Sequence, residues 1–332
     1  MEKSEYIAIR DRLSFSKPLK FTLLTIAVQC LLFVVAIWLL MQDHWAHFIV
    51  SQLLLALFFF HSFAMLHEAG HGNLYKKRWA NRITGHFFSV FCFMPFFSWQ
   101  HMHRGHHVYT GSINNDPGSR TLRKIKKLGR VPSAYQVCWR FWAPMVAIAQ
   151  HVMLWFYPYR IWREEPENKE LLRQTLFSTA FLIICYATFA HLFPEVVTIK
   201  NFGLSVFLYL VLTEIINAPH HVGMPHFYSI PKMEKLKLWN QHISTRSCRY
   251  PGVFSELITL NFSLHTEHHY FPTLPWYRLK KARDLIKPTL GEEYNEVGDF
   301  VWNWENRKVP AAQVVLSNVS HPLLDDAASE PT

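Results

Sequence analysis

The run FTLLTIAVQCLLFVVAIWLLM, from Phe21 to Met41, contains no charged residue. Crossing a bilayer as a helix takes about 20 predominantly apolar residues, so this stretch is long enough to span. His47–Leu66 is a second candidate, and Thr175–Phe193 and Phe202–Ile216 are a third and fourth, the last one short and carrying Glu214 near its end. Folded instead into the core of a soluble protein, runs this apolar would leave little polar surface. The chain therefore reads as an all-α integral membrane protein with about four transmembrane helices. The first run exceeds the roughly 7–15 apolar residues of a signal-peptide core, and no small-x-small cleavage site follows it, so it is expected to be a retained anchor. Phe87–Phe97, interrupted by Pro95, and Phe141–Tyr157, which contains Pro144, are expected to be re-entrant or interfacial helices.

Charge placement suggests an orientation. Lys3, Arg10, Arg12, Lys17 and Lys20 precede the first run, while the QDHWA tip after it has no Lys or Arg. Lys76, Lys77, Arg78, Arg82 and the segment RTLRKIKKLGR follow the second run, and the tip PEVVTIK between the third and fourth has one Lys. The positive-inside rule then places both termini and the long polar interval on the cytoplasmic side, in a bacterial inner membrane or the endoplasmic reticulum. It also accounts for most of the net charge of +10. No nucleic-acid-binding motif accompanies the basic residues, so nucleic acid is not an expected partner. The five cysteines form no CxxC pair, which fits a reducing compartment without a disulfide framework. Residues 1–20 are expected to be a cytoplasmic segment, 21–305 a membrane domain, and 306–332 a structureless cytoplasmic tail, since HPLLDDAASEPT lacks apolar periodicity.

The histidines carry the chemistry. HTEHH places His265, His268 and His269 at positions i, i+3 and i+4, and HRGHH repeats that spacing with His103, His106 and His107. HEAGH holds His67 and His71 at i, i+4, and NAPHH holds Asn217 and His221 at the same interval. Residues so spaced share one face of a helix and can converge on a metal. Each cluster lies at or beyond the cytoplasmic end of an apolar run, where a helical cap can gather all of them. Nine imidazoles exceed the needs of one ion and suit two. Imidazole serves iron, zinc and copper alike, and thiolates are missing from the clusters. Asp116, Glu68 and Glu267 are the nearest acidic side chains able to orient these rings. His44, His61, His86, His151 and His191 stand alone and read as structural; His101 and His220 adjoin motifs and are ambiguous.

The order HEAGH, HRGHH, HTEHH, with two apolar spans between the second and third boxes, resembles the membrane fatty acid desaturase superfamily. NAPHH, YTGSINNDPGS and HHYFPTLPWYRL add to the likeness, which covers Leu66 to Leu285. The resemblance implies a nonhaem centre of two Fe ions held by His67, His71, His103, His106, His107, His221, His265, His268 and His269, with Asn217 acting through a bound water. It implies an O2-dependent oxidoreductase that removes two hydrogens from neighbouring carbons of a hydrocarbon chain, expected to be a fatty acyl group of a lipid. It further implies a separate electron donor, of ferredoxin or cytochrome b5 type, because no haem-binding or iron–sulfur pattern is evident in the sequence. YKKRW and RKIKKLGR are candidate docking faces for that donor. Hydroxylases and carotenoid ketolases share much of the pattern and are the nearest alternatives. More remote are an intramembrane zinc protease using HEAGH as an HExxH motif with Glu68 as base, and a metal transporter.

Overall fold

The computed structural model describes residues 1–230, 233–316, 321 and 324. The helices, in chain order, are α1 (Lys3–Asp11), α2 (Leu19–Leu40), α3 (Trp45–Gly70), α4 (Arg78–Cys92), α5 (Phe96–Tyr109), α6 (Arg120–Leu128), α7 (Ser133–Arg140), α8 (Met145–Trp155), α9 (Tyr157–Glu164), α10 (Lys169–Leu192), α11 (Ile199–His221), α12 (His265–Tyr270), α13 (Leu279–Leu290), α14 (Asp299–Lys308) and α15 (Ala311–Val315). Four of them, α2, α3, α10 and α11, are long and apolar enough to cross a membrane. They coincide with the four apolar runs of the sequence to within a few residues at most ends. α3 is the central element, packed against α2, α4 and α11, and from Phe58 to Gly70 every residue is buried. α2 by contrast leaves Leu23, Leu31, Val34 and Trp38 exposed.

Polar side chains inside this apolar body are paired, as burial without a partner is costly. Gln29 donates to Ser62 Oγ at 2.6 Å and its amide oxygen meets His61 Nδ1 at 2.5 Å, joining α2 to α3. Gln52 of α3 donates to Asn201 O at 2.8 Å and accepts the Ser205 N–H at 2.9 Å, joining α3 to α11. His61, expected to be structural, is thus part of a helix–helix contact.

Of the two proline-interrupted stretches, Phe87–Phe97 is the junction of α4 and α5, while Phe141–Tyr157 is a turn followed by the short apolar helix α8. Phe93 adopts a left-handed conformation (φ 59°) between α4 and α5, ahead of Pro95, and Trp142 (φ 58°) does the same between α7 and α8, ahead of Pro144. Proline disfavours helical backbone in the residue before it, so the chain turns at each of these points. A further departure from the all-α expectation is a small parallel pair of strands, β1 (Ser247–Arg249) and β2 (Glu296–Gly298), which ties the segment before α12 to the chain leading into α14.

Helix α11 contains Pro219. A proline has no N–H to donate to the carbonyl four residues back, which here is that of Ile215. Asn303 of α14 fills the gap, donating Nδ2 to Ile215 O at 3.0 Å. One turn further along α14, Arg307 lies 3.7 Å from Glu214 and 4.4 Å from the Trp139 ring centroid. α14 therefore braces the part of α11 that presents Asn217 and His221. The expected structureless tail needs correction where it is described: residues 306–308 close α14, and Pro310 caps α15, whose Ala311 and Val314 are buried with Trp139 and Trp302. The rest of that tail, apart from residues 309, 316, 321 and 324, lies outside the described residues.

Candidate metal centre

His67 lies in the last turn of α3 and His71 is its C-cap residue. His103, His106 and His107 project from α5, His221 ends α11, and His265, His268 and His269 make up half of the six-residue α12. The nine rings meet in one place. His67, His71, His103 and His268 form one group whose ligand atoms lie within 4.8 Å of one another, and His106, His221, His265 and His269 form a second. His107 borders the first group, its Nε2 being 3.1 Å from His103 Nε2 and 3.0 Å from His268 Nε2. Helical spacing suggests that each HxxHH box converges as a unit, and the geometry differs. His103 and His107 face the first group while His106 faces the second; His265 and His269 face the second while His268 faces the first. Positions i and i+4 stay together and i+3 points to the other group, because α5 and α12 run along the seam between them.

The protonation pattern follows from the outer ring nitrogens. His106 Nδ1 donates to the Asp116 carboxylate at 3.0 and 3.1 Å. His221 Nδ1 donates to Ser244 O at 3.0 Å, and His269 Nδ1 lies 3.3 Å from Gln241 Oε1 and 3.2 Å from Thr110 Oγ1. A nitrogen that donates outward leaves a lone pair on Nε2 pointing inward, the tautomer a metal needs. Inward Nε2 atoms do crowd together: His106 to His221 at 3.1 Å, His221 to His265 at 2.8 Å and His269 to His265 at 3.1 Å. His67 Nε2 and His71 Nε2 are buried without any hydrogen-bond partner. Burial, and next the repulsion of neighbouring rings, pushes His71, His103, His107, His265, His268 and His269 well below the usual imidazole range. Ring nitrogens that converge in two groups fit two cations, and the all-imidazole donor set suits iron as it does zinc or copper.

The fatty acid desaturase family model matches residues 43–300 of this chain, which include all nine histidines. The chain belongs to the fatty acid desaturase family. A protein of Nostoc sp. (strain 36) named as an sn-1 acyl-lipid omega-3 desaturase (ferredoxin) is 26% identical over 310 residues, covering 86% of this chain and 79% of the relative. The protein of that name from Synechocystis sp. is 24% identical over 280 residues, covering 78% and 73%. A temperature-sensitive sn-2 acyl-lipid omega-3 desaturase (ferredoxin) of Arabidopsis thaliana, chloroplastic, is 25% identical over 283 residues, covering 78% and 59%. The chain is accordingly a desaturase-type oxidoreductase. The HExxH protease alternative also fails on geometry: Glu68 accepts the Trp276 N–H at 3.1 Å and sits 3.4 Å from His67 Nδ1, so it is already engaged.

Of the other residues singled out in this desaturase, Asp116 is buried against His106 and also accepts the Gly118 N–H at 2.7 Å. Asn217 belongs to neither group; its amide donates to Thr213 O at 2.7 Å, one turn before His221. Glu267 touches no imidazole by hydrogen bond. It accepts from Ser247 and Tyr294, each at 2.6 Å, and so anchors α12. His220 is fully buried and stacks on His265 at 4.1 Å, and His101 lies against Tyr157 at 5.9 Å. Residues that sequence spacing does not flag include Gln241, Ser244 and Thr110 at the outer nitrogens, and Trp99, stacked on His103 at 4.5 Å.

Two cavities border the histidines from different sides. The first, about 160 Å³, touches His106, His221 and Asp116 and is otherwise walled mainly by apolar side chains, Leu122, Ile125, Val146 and Val315 among them. The second, about 670 Å³, touches His71, His107 and His269 and is lined further out by Arg104, Lys235 and Lys237.

Proposed function

We propose that this desaturase introduces a double bond into an acyl chain of a membrane lipid, with dioxygen and a ferredoxin-type donor, at a centre of two irons. The observation that carries the reading is the convergence of nine imidazoles into two adjoining groups beside an apolar cavity. His67, His71, His103, His107 and His268 would hold one iron, and His106, His221, His265 and His269 the other, with Asn217 reaching the second through water. A redox-active metal pair held there supplies the oxidising power needed to remove hydrogen from an unactivated methylene. The chain's own residues do the rest. Asp116, Ser244 and Gln241 hold the second group's rings in one tautomer and orientation. Leu122, Ile125, Val146 and Val315 offer the hydrocarbon an apolar wall and keep water from the reacting carbons, where small misplacements cost large factors in rate. The balance is one CH2–CH2 unit, O2, two electrons and two protons giving one CH=CH unit and two waters.

The acyl-lipid substrate and ferredoxin donor are supported by the names of the cyanobacterial and plant relatives. Membrane insertion through α2, α3, α10 and α11 is supported by their length and by the exposed apolar side chains of α2. The Lys and Arg distribution favours a cytoplasmic site; a tag near Asp43 should then be extracytoplasmic and tags at both termini cytoplasmic, and a cytoplasmic Asp43 overturns this topology. Expression in a host of defined lipid composition, followed by mass spectrometry of lipids and carotenoids, tests the reaction. Loss of two hydrogens from an acyl chain is expected. A gain of one oxygen on unchanged chains, or oxygenated carotenoids, overturns it.

A further inference from the structure

The second cavity has a wall chemistry that acyl-chain binding does not explain. Its floor is formed by the edges of His71, His107 and His269, rings from both groups. Its wall carries the guanidinium of Arg104, on α5, and the ammonium groups of Lys235 and Lys237, on the loop after α11. Arg78 and Arg82 of α4 lie close enough to repel Arg104. All five cations are exposed. Among the described residues none of the five has a carboxylate within 4.0 Å, whereas Arg307 is paired with Glu214, Arg160 with Glu164, and Arg283 and Lys287 with Glu296. Glu234, adjacent to Lys235 in sequence, lies 3.5 Å from the Tyr109 hydroxyl. Exposed Val108 and Leu238 and partly buried Trp239 supply an apolar collar inside the cations.

The positive-inside tendency accounts for the sign of these charges. It does not account for Arg104, Lys235 and Lys237 lining the opening that leads to the histidines, with Arg78 and Arg82 near Arg104 and no carboxylate beside any of the five among the described residues. Like charges kept together without counter-ions raise the energy of the free protein, and an acidic partner relieves that cost while being steered toward the mouth. An apolar centre within a charged rim is also the usual anatomy of a protein contact. The cations extend over two helices and a loop, a footprint wider than one lipid headgroup. The first cavity, moreover, already offers the hydrocarbon an apolar place on the other side.

We propose that the Arg78, Arg82, Arg104, Lys235 and Lys237 surface is the docking site of a small acidic one-electron iron–sulfur protein, which delivers electrons through the His71 and His107 side while the acyl chain occupies the His106 and His221 side. This inference rests on the desaturase reaction proposed above. Each docked carrier is oxidised by one electron. Two dockings supply the two electrons that, with two protons and the two hydrogens taken from the substrate, reduce O2 to two waters.

The test uses the full chain in lipid nanodiscs and an oxidised plant-type ferredoxin, with binding as the primary readout. Charge reversal by Lys235→Glu, Lys237→Glu and Arg78→Glu together should weaken binding at least tenfold and flatten its dependence on salt. A control reversal, Lys124→Glu with Lys127→Glu on the exposed face of α6, should leave binding within twofold. Single-turnover desaturation with dithionite as reductant should match the unaltered protein in both variants, which shows that each is folded and holds its metals. Unchanged ferredoxin binding in the triple variant overturns the proposal. So does loss of binding in the α6 variant alone, which moves docking to that helix. A raised KM for lipid with unchanged ferredoxin affinity also overturns it, in favour of a headgroup site. Should the desaturation reading itself be wrong, the unaltered protein makes no alkene, while the binding measurement still reports on the surface.

Discussion

On one side of the histidine cluster, Leu122, Ile125, Val146 and Val315 wall a cavity of about 160 Å³ against His106 and His221; on the other, Arg104, Lys235 and Lys237 surround one of about 670 Å³ above His71 and His107. The rings themselves differ in the same sense. In the second group His106, His221 and His269 are each tied through Nδ1 to a carboxylate, a carbonyl or an amide oxygen. His265 Nδ1, also of that group, is buried without a partner among the described residues. In the first group His67 Nδ1 lies 3.4 Å from Glu68, whereas His107 Nδ1 and His268 Nδ1 are buried without one. More of the outer nitrogens are therefore held on the side proposed for the acyl chain than on the side proposed for the electron carrier.

The bluntest way to break this comparison is to remove a ring from each side. His265→Ala and His107→Ala should each abolish detectable desaturation, and each should lower the iron content from two per chain toward one. Retention of full activity in either variant removes that residue from the site. The comparison is sharpened by Asp116→Asn, which keeps the shape but weakens the hold on His106. Loss of such an outer partner typically costs about 10–100-fold in metal affinity or activity. The same is expected here, measured as kcat with iron loading followed in parallel, while Glu68→Gln on the first group should cost less. Equal losses would mean that the two sides are not differently held.

Asn303→Ala tests the brace on α11. The Ile215 carbonyl that Pro219 leaves free would lose its donor, at a cost of about 1–3 kcal/mol for a buried unsatisfied group. Faster thermal inactivation is expected, together with selective loss of the iron proposed to sit at His221. Loss of neither would separate α14 from the site. Gly118→Ala is subtler. A Cβ there meets Asp116 Oδ1 at 3.1 Å and His106 Nδ1 at 3.3 Å, so the pair must shift by a few tenths of an ångström, and a severalfold fall in kcat with unchanged ferredoxin affinity is expected. The smallest effect belongs to Asn217→Ala, which should lower activity less than loss of any histidine; unaltered kinetics would dismiss its water-mediated role.

Local chemistry made much of this desaturase legible from its sequence. A charge-free apolar run of helical length has few ways to fold, so the four long helices could be read directly, and proline marked the junctions before α5 and α8. Helical periodicity put the histidines on shared faces, and Asp116 was the nearest acid to the second box. Tertiary structure decided how the nine rings divide. His106, His221 and His265 come from α5, α11 and α12, and whether position i+3 of a box turns toward its own i+4 or away depends on the seam along which the helix packs, which no local spacing encodes. For the same reason Gln241, Ser244 and Asn303 were invisible: a side chain that satisfies an outer nitrogen or a carbonyl freed by proline is chosen by proximity in the fold, not in the chain. Positive charge was plain in the sequence as a total and as a bias along it. That Arg104, Lys235 and Lys237 line one opening, with Arg78 and Arg82 near Arg104 and no carboxylate beside any of the five among the described residues, is a product of how α4, α5 and the segment after α11 are brought together.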